Sequence, residues 1–183
     1  MANRATEVTR PLRRVEYDKL VALGTFENER VELLEGELVA MSPIGAPHNV
    51  AVQSLNELLV LALHGRAWVR PQMSFAAHEL SEPEPDLAIV PRADYHAEQP
   101  SQALTVIEVA ESSLAYDRGR KLRLYASCKV PEYWIVNIPE RCVEVYREPQ
   151  LNSYARCDRY APGDTIRLAS FSDVVLAVSD FLR

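Results

Sequence analysis

The sequence DLAIV at residues 86–90 and the sequence LTVIEV at residues 104–109 decide how this chain folds. Both are short apolar runs bounded by proline or polar segments, which is typical of strands covered on both faces. Each run carries one carboxylate, Asp86 at the start of the first and Glu108 inside the second. A carboxylate among apolar strand residues has to be protonated, hydrogen-bonded or bound to a cation. The two runs therefore predict a sheet with an acidic site.

The rest of the chain alternates between helical and strand patterns, which predicts an α/β (α+β) fold with a mixed sheet. Residues 31–41 alternate in polarity around Glu35-Gly36, which predicts a hairpin. Pro47 suits the first turn of a helix that ends near Gly65. We expect residues 15–183 to form one domain and residues 1–14 a flexible arm. Further predicted elements are a helix at 15–23 and strands at 68–77, 132–138, 141–147, 154–160 and 165–168.

The composition is that of a folded, acidic protein. The chain has 183 residues, a formal net charge of −6 and 48% hydrophobic residues, which excludes wholesale disorder. The acidic balance argues against an indiscriminate nucleic-acid coat protein, since such proteins bind by neutralising phosphates. The longest dense apolar run, 58–63, is too short to span a membrane, and the polar start is unlike a secretory signal. Three cysteines without metal or disulfide spacing indicate buried thiols and a cytoplasmic location.

A basic helix is predicted from Asp117 to Lys129. On a helical wheel Lys121 lies in the middle of the face that carries Leu124 and Tyr125, where a buried apolar residue is expected. Arg118, Arg120 and Arg123 lie on the same helix. A solvated charged face is the default interpretation of such a run, and contact with nucleic-acid phosphates is the functional one.

Asp86, Glu108 and Lys121 are each anomalous for their own element, and one arrangement explains all three. Two carboxylates on neighbouring strands suit a hard divalent cation such as Mg²⁺. A lysine beside them orients or deprotonates water, or stabilises the charge that develops on a phosphate. The alternative is a buried ion-pair network without a reaction, but three coincident anomalies favour a site.

Several strings then resemble a known family, catalogued as "putative restriction endonuclease" and long as a domain of unknown function. This family belongs to the PD-(D/E)xK nuclease superfamily. The resemblance extends from about Tyr17 to Arg147. The strings that carry it are ELLEGEL (32–38), MSP (41–43), His48, PDL (85–87), VIEV (106–109), YDRGRK (116–121), Tyr125 and VPEYWIV (130–136).

The resemblance implies a restriction-endonuclease-like core and Mg²⁺-dependent cleavage of nucleic acid, with Mn²⁺ as a substitute metal. Asp86 and Glu108 match the two acidic motif residues, which bind the metal in this family. The usual lysine lies two residues after the second acid, but this chain has Ala110 there. The family comparison thus implies that the lysine has moved to the following helix, where the wheel selects Lys121.

Three further residues have open roles. Glu32 matches the opening glutamate of the family and is either an additional ligand or supporting group, or a carboxylate on the hairpin surface. His48 falls in the first turn of its helix and either faces the metal site or is a core histidine. Asp117 either joins the site or caps its helix.

The sequence therefore predicts a metal-dependent endonuclease acting on nucleic acid, with DNA as the expected substrate. A homodimer is expected, because two-fold symmetry suits cleavage of both strands of a duplex. The alternative is a catalytically weak or inactive nuclease-fold module that binds nucleic acid or a protein partner. A glycosidase with a carboxylate pair is disfavoured, since it gives Lys121 no role.

Overall fold

A computed structural model of the protein describes residues 9–41 and 43–182, and its centre is a six-stranded sheet. The strand order is β3-β4-β5-β6-β7-β8. Neighbouring strands are antiparallel except for the parallel pair β5–β6. The mixed sheet predicted from the sequence is therefore confirmed. The strands are β3 (Ala67–Pro71), β4 (Leu87–Pro91), β5 (Thr105–Ala110), β6 (Glu132–Asn137), β7 (Cys142–Pro149) and β8 (Tyr154–Tyr160).

A hairpin, β1 (Val31–Leu34) with β2 (Glu37–Ala40), lies before the central sheet, as predicted. Its two turn residues, Glu35 and Gly36, both have positive φ, at 51° and 83°. This is the backbone of the tight turns that match the twist of a hairpin. A Cβ on Gly36 would lie 2.2 Å from the Cβ of Pro11, so glycine is required there by space as well as by conformation.

One long helix, α2 (Ala46–Leu63), covers one face of the central sheet, and Pro47 lies in its first turn as predicted. The buried side of α2 packs against apolar residues of β4 and β5 such as Leu87 and Ile107. A small hairpin, β9 (Thr165–Arg167) with β10 (Val175–Ala177), contributes to the same apolar cluster. Strand β10 was not predicted from the sequence.

The opposite face of the sheet is covered by a helical segment that contains the predicted basic helix. The prediction of a regular helix at 117–129 was wrong in its bounds and geometry. The segment consists of α3 (Leu114–Tyr116), a π-helical turn (Asp117–Lys121) and α4 (Leu122–Ser127). Such π turns are frequent at functional sites. The predicted inward face is retained, since Lys121 and Tyr125 are both buried.

Other predictions need correction where the backbone or the burial differs from the pattern. The strand predicted at 68–77 ends at Pro71, because Gln72 has a φ of 46° and leaves the extended conformation. Of the three cysteines predicted to be buried, only Cys142 is; Cys128 is half-buried and Cys157 is exposed on the edge strand β8.

The described part of the N-terminal segment forms hydrogen bonds to the rest of the protein. Residues 1–8 of the predicted arm lie outside the described residues. The Leu12 N–H donates to the Gly36 carbonyl at 2.9 Å, and helix α1 (Arg14–Ala22) begins within the predicted arm. The single domain at 15–183 stays a prediction. None of the helices that the structure describes is long and apolar enough to cross a membrane.

Glu82 lies between the hairpin and α1 and is buried with little compensation. The Arg14 guanidinium is 4.0 Å from its Oε2, which accepts no hydrogen bond from the described residues. Burial is the largest cause that raises the pKa of Glu82, to about 7, and repulsion from Asp18 adds to it. The folded state therefore holds this proton up to higher pH than the unfolded chain does.

We predict that Glu82→Gln stabilises the protein at pH 8 by about 1 kcal/mol relative to the parent, with a smaller gain at pH 5. The unfolded carboxyl ionises near its ordinary pKa of 4.5 and the folded one near 7, so the parent loses stability as pH rises through that window. Urea unfolding at both pH values measures the difference. Glu79→Gln, an exposed carboxylate nearby, is the control, and an equal gain at both pH values would contradict the prediction.

Candidate functional site

Asp86 and Glu108 lie beside each other at one end of the central sheet. In the antiparallel pair β4–β5, Leu87 is opposite Ile107 and Ala88 is opposite Val106. Extending this register by one position places Asp86 opposite Glu108. Residues directly opposite in an antiparallel pair point to the same face, so both carboxylates face the layer that contains the π turn.

Glu108 forms a buried cluster with two residues of that layer. The Lys121 Nζ donates to Glu108 Oε1 at 3.0 Å, and the Tyr125 hydroxyl donates to the same oxygen at 2.7 Å. Lys121 and Tyr125 are four positions apart and lie on the inward face. Among the described residues both hydrogen bonds to Glu108 are accepted by Oε1, which leaves Oε2 without a protein donor.

Asp86 is held mainly through its carboxylate oxygen Oδ2. This oxygen accepts the backbone N–H of Val109 at 2.9 Å and lies 3.1 Å from His48 Nε2. The Oδ1 atom has only a long contact of 3.5 Å with the amide nitrogen of Gln72. His48 is buried and its Nδ1 has no partner among residues 9–41 and 43–182, so the ring donates through Nε2 to the carboxylate.

Glu32 and Asp117 complete the acidic wall, and both are buried. Glu32 Oε2 lies 3.5 Å from the Lys121 Nζ and accepts the backbone N–H of Glu84 at 3.2 Å. Asp117 accepts the Ser113 hydroxyl at 2.6 Å. Glu32 is therefore not a surface carboxylate. The capping role for Asp117 is also wrong, because the helical segment begins three residues earlier, at Leu114.

The site contains more negative than positive groups. Four carboxyls and one ammonium line the same cavity: Glu32 and Glu108 lie within 3.5 Å of the Lys121 Nζ, and Asp86 and Asp117 complete the set. Burial raises the pKa of Glu108, and the attraction of the Lys121 ammonium opposes this rise. Burial likewise raises the pKa of Asp117, against its bond from Ser113. Burial alone lowers the pKa of Lys121, but Glu108 and Glu32 outweigh it, so the net shift is upward and the amine stays protonated at neutral pH.

A cavity of about 320 Å³ opens onto these groups. Its volume lies in the usual range of about 300–1,000 Å³ for ligand sites. All six central or supporting residues predicted from the sequence line it, so the structure brings them to one place. They are Glu32, His48, Asp86, Glu108, Asp117 and Lys121.

The predicted nucleic-acid contacts lie outside this cavity. The Arg118 guanidinium is paired with Glu144, with Nε at 3.0 Å from Oε2. Arg120 is 2.9 Å from both Glu35 and Glu37 of the β1–β2 hairpin. Arg123 is exposed and forms no ion pair within the described part of the chain. Arg118 and Arg120 therefore hold the π turn in place, and Arg123 has the free charge.

Sequence reasoning missed two residues that contact the acidic pair. The helical wheel places Tyr125 on the inward face and assigns it no contact, although its spacing of four from Lys121 could have indicated a bond to the same carboxylate. Gln72 had no signal in the sequence. It combines a left-handed backbone with an N–H that donates to the Asp86 carbonyl at 3.1 Å. Backbone strain of this kind concentrates at functional sites.

The comparisons with known proteins identify the family. The family model described as "Putative restriction endonuclease" matches residues 15–179. The chain belongs to this family, Uma2. The resemblance predicted from the sequence is therefore confirmed. No curated protein shows a significant match.

The fold of this Uma2 chain is shared with a solved structure. A structure from Anabaena variabilis, titled a "putative nuclease belonging to DUF820", matches with a TM-score of 0.70 at 17% identity and covers 94% of this chain and 98% of that one. The type IIG restriction endonuclease BpuSI matches with a TM-score of 0.42 at 16% identity, over 79% of this chain and 17% of that one. The first match confirms the restriction-endonuclease-like fold.

The side chains of this Uma2 site fit a hard cation that retains water or takes ligands from a substrate. No group of three or more His, Cys, Asp or Glu side chains among residues 9–41 and 43–182 is arranged to hold a metal. Asp86 Oδ1 and Glu108 Oε2 remain as two oxygen donors facing the same layer. Mg²⁺ is commonly bound by only one or two carboxylates, with water and substrate phosphates as the other ligands.

We predict that Lys121→Met and Glu108→Gln are coupled in stability by about 2 kcal/mol. Lys121→Met alone leaves buried carboxylates without their cation, whereas the double variant removes charge from both partners. A double-mutant cycle by urea unfolding at pH 8 measures this coupling. The pair Lys121→Met with Glu144→Gln, whose carboxylate pairs with Arg118 instead, should be additive. Additivity of the first pair would contradict the geometry.

Proposed function

We propose that this protein is a metal-dependent endonuclease that hydrolyses phosphodiester bonds in DNA. Asp86 and Glu108 are the residues that would hold Mg²⁺, or Mn²⁺ in its place. The observation that carries the proposal is that four carboxyls share a site with only one ammonium and that this site opens to a cavity. A divalent cation offsets this excess, which a purely structural ion pair does not need.

Each protein group has a separate task in this reaction. A cation held there would act as a Lewis acid and would lower the pKa of a bound water. His48 and the Val109 N–H hold Asp86 by one oxygen and leave the other facing the cavity. Lys121 stays protonated, so it stabilises the negative charge that develops on the phosphate and does not act as the general base. Glu32 keeps the Lys121 ammonium between two carboxylates.

DNA is proposed as the substrate because the family description names a restriction endonuclease. Arg123 is the free cation nearest in sequence to the site and contacts phosphate in this proposal. Cleavage of both strands of a duplex in one binding event suits two copies of the chain, and analytical ultracentrifugation in the presence of duplex tests for this dimer.

The ion pair between Glu108 and Lys121 favours a second candidate function. The Glu108 carboxylate is neutralised by a lysine and a tyrosine hydroxyl within the protein. This arrangement suits a nuclease-fold module that binds nucleic acid or a protein partner without turnover. Under this second function, nucleic-acid affinity survives the loss of either acidic residue.

We predict that Mn²⁺ binds the parent protein and that Asp86→Asn with Glu108→Gln abolishes the binding. The double variant replaces two anionic carboxylates by neutral amides of nearly the same volume, so it removes the charge that attracts the cation while the fold is retained. Isothermal titration calorimetry with Mn²⁺, with and without a short duplex, measures the effect. Glu111→Gln is the matched control, because Glu111 lines the same cavity but is exposed and not a proposed ligand.

Lys121→Met and the double variant Asp86→Asn with Glu108→Gln separate the two functions in a cleavage assay. With Mg²⁺ and DNA, we expect Lys121→Met to lower the cleavage rate about 100-fold or more, and the double variant to abolish it. Metal binding that is equal in parent and double variant, both alone and with duplex, would overturn the nuclease proposal. Nucleic-acid binding without cleavage in the parent would establish the second function.

A further inference from the structure

A second groove lies along the edge of the sheet, outside the acidic site. It has a volume of about 580 Å³ and is lined by apolar and aromatic side chains that include Trp68, Met73 and Tyr95. Trp68 is 43% exposed and Met73 is also exposed. These residues belong to the edge strand β3 and to the loops that follow β3 and β4. Large exposed apolar side chains grouped on one face mark interaction surfaces.

Each aromatic ring in this groove is paired with an arginine. The guanidinium carbon of Arg92 lies 4.1 Å from the centre of the Trp68 ring, and that of Arg70 lies 5.7 Å from the centre of the Tyr95 ring. Arg92 is exposed and forms no ion pair with any described residue. Aromatic rings combined with arginines are the arrangement with which proteins stack unpaired bases and neutralise their phosphates.

The negative groups near the groove are few. Asp94 lines it, but its carboxylate lies 2.6 Å from the imidazole of His96 and is highly exposed. Arg70 donates to Gln99 at 2.7 Å, which fixes its position without neutralising its charge. The groove is therefore locally basic on a chain whose net charge is −6. This contrast favours a polyanion as the occupant.

The groove and the acidic site share one face of the sheet. In the pair β3–β4, Trp68 is opposite Val90 and Arg70 is opposite Ala88. Extending this register by one residue beyond Pro71 places Gln72 opposite Asp86. Trp68 is four positions from Gln72, which corresponds to about 13 Å along the strand. One bound strand of nucleic acid is long enough to reach from Trp68 to Asp86.

We infer that the Trp68–Arg92 groove binds single-stranded nucleic acid, by stacking an unpaired base on Trp68 and placing its phosphates beside Arg92. Combined with the proposed nuclease function, this makes a single strand or a single-stranded flank the substrate class. The base-stacking contact itself requires no metal and no cleavage. A fully paired duplex offers only its end bases to the groove and binds it more weakly.

The two tryptophans of the chain make this inference directly measurable. Trp134 is completely buried and Trp68 is exposed, so quenching of tryptophan fluorescence by a ligand reports on Trp68. We expect a short single-stranded DNA oligonucleotide, added in EDTA, to quench the parent protein more strongly than a blunt duplex of equal length. We expect Trp68→Ala and Arg92→Ala to weaken binding of the labelled oligonucleotide about tenfold each. Leu151→Ala, an exposed apolar residue in the turn before edge strand β8, is the control.

The outcomes separate this inference from the proposed nuclease function. Quenching that persists in Asp86→Asn supports the groove, because it is then independent of the acidic site. If the parent protein shows this quenching but cleaves no nucleic acid, only the nuclease proposal is overturned. Cleavage of single-stranded DNA by Trp68→Ala with unchanged KM, or unchanged affinity in both groove variants, overturns the groove and leaves the nuclease intact. A fluorescence change that depends on protein concentration alone, with loss of a dimer in Trp68→Ala, assigns this face to a second copy and also overturns the inference.

Discussion

The pairing of β4 with β5 is the constraint on which the site depends. It brings Asp86 and Glu108 to one face of the sheet, where Lys121 pairs with Glu108 and His48 lies against Asp86. A slip of one residue in this register would turn one carboxylate into the apolar layer under α2 and move the other acid away from its partner. The buried Leu87 and Ile107 on the opposite face prevent such a slip.

The side chains of the π turn make different contacts on its inner and outer sides. Asp117 and Lys121 point inward, while Arg118 and Arg120 are tied to Glu144 and to the hairpin. The outer ion pairs fix the segment between two parts of the fold, so the position of the ammonium is set by contacts on both sides. Arg118 and Arg120, which were predicted to contact nucleic acid, therefore form ion pairs within the protein.

The fold and the core of the site were predictable because their signals are local and periodic. The apolar runs at 86–90 and 104–109 and the helical spacing around Lys121 depend only on neighbouring residues. The left-handed Gln72, the π turn and the bond from Tyr125 to Glu108 depend on tertiary contacts that no periodicity reports. The sequence could not decide the role of Glu32 for the same reason, since a hairpin residue is buried or exposed according to what packs against it.

The order of the site residues along the chain has a consequence for synthesis. Glu32, Asp86 and Glu108 leave the ribosome before Lys121, so a nascent chain carries the acids for a time without the ammonium that compensates them. The helical segment that contains the π turn cannot cover this end of the sheet until it has emerged. Strand β6, the parallel neighbour of β5, emerges later still. A shortened chain that stops before the π turn would therefore expose an acidic sheet end with no cation of its own.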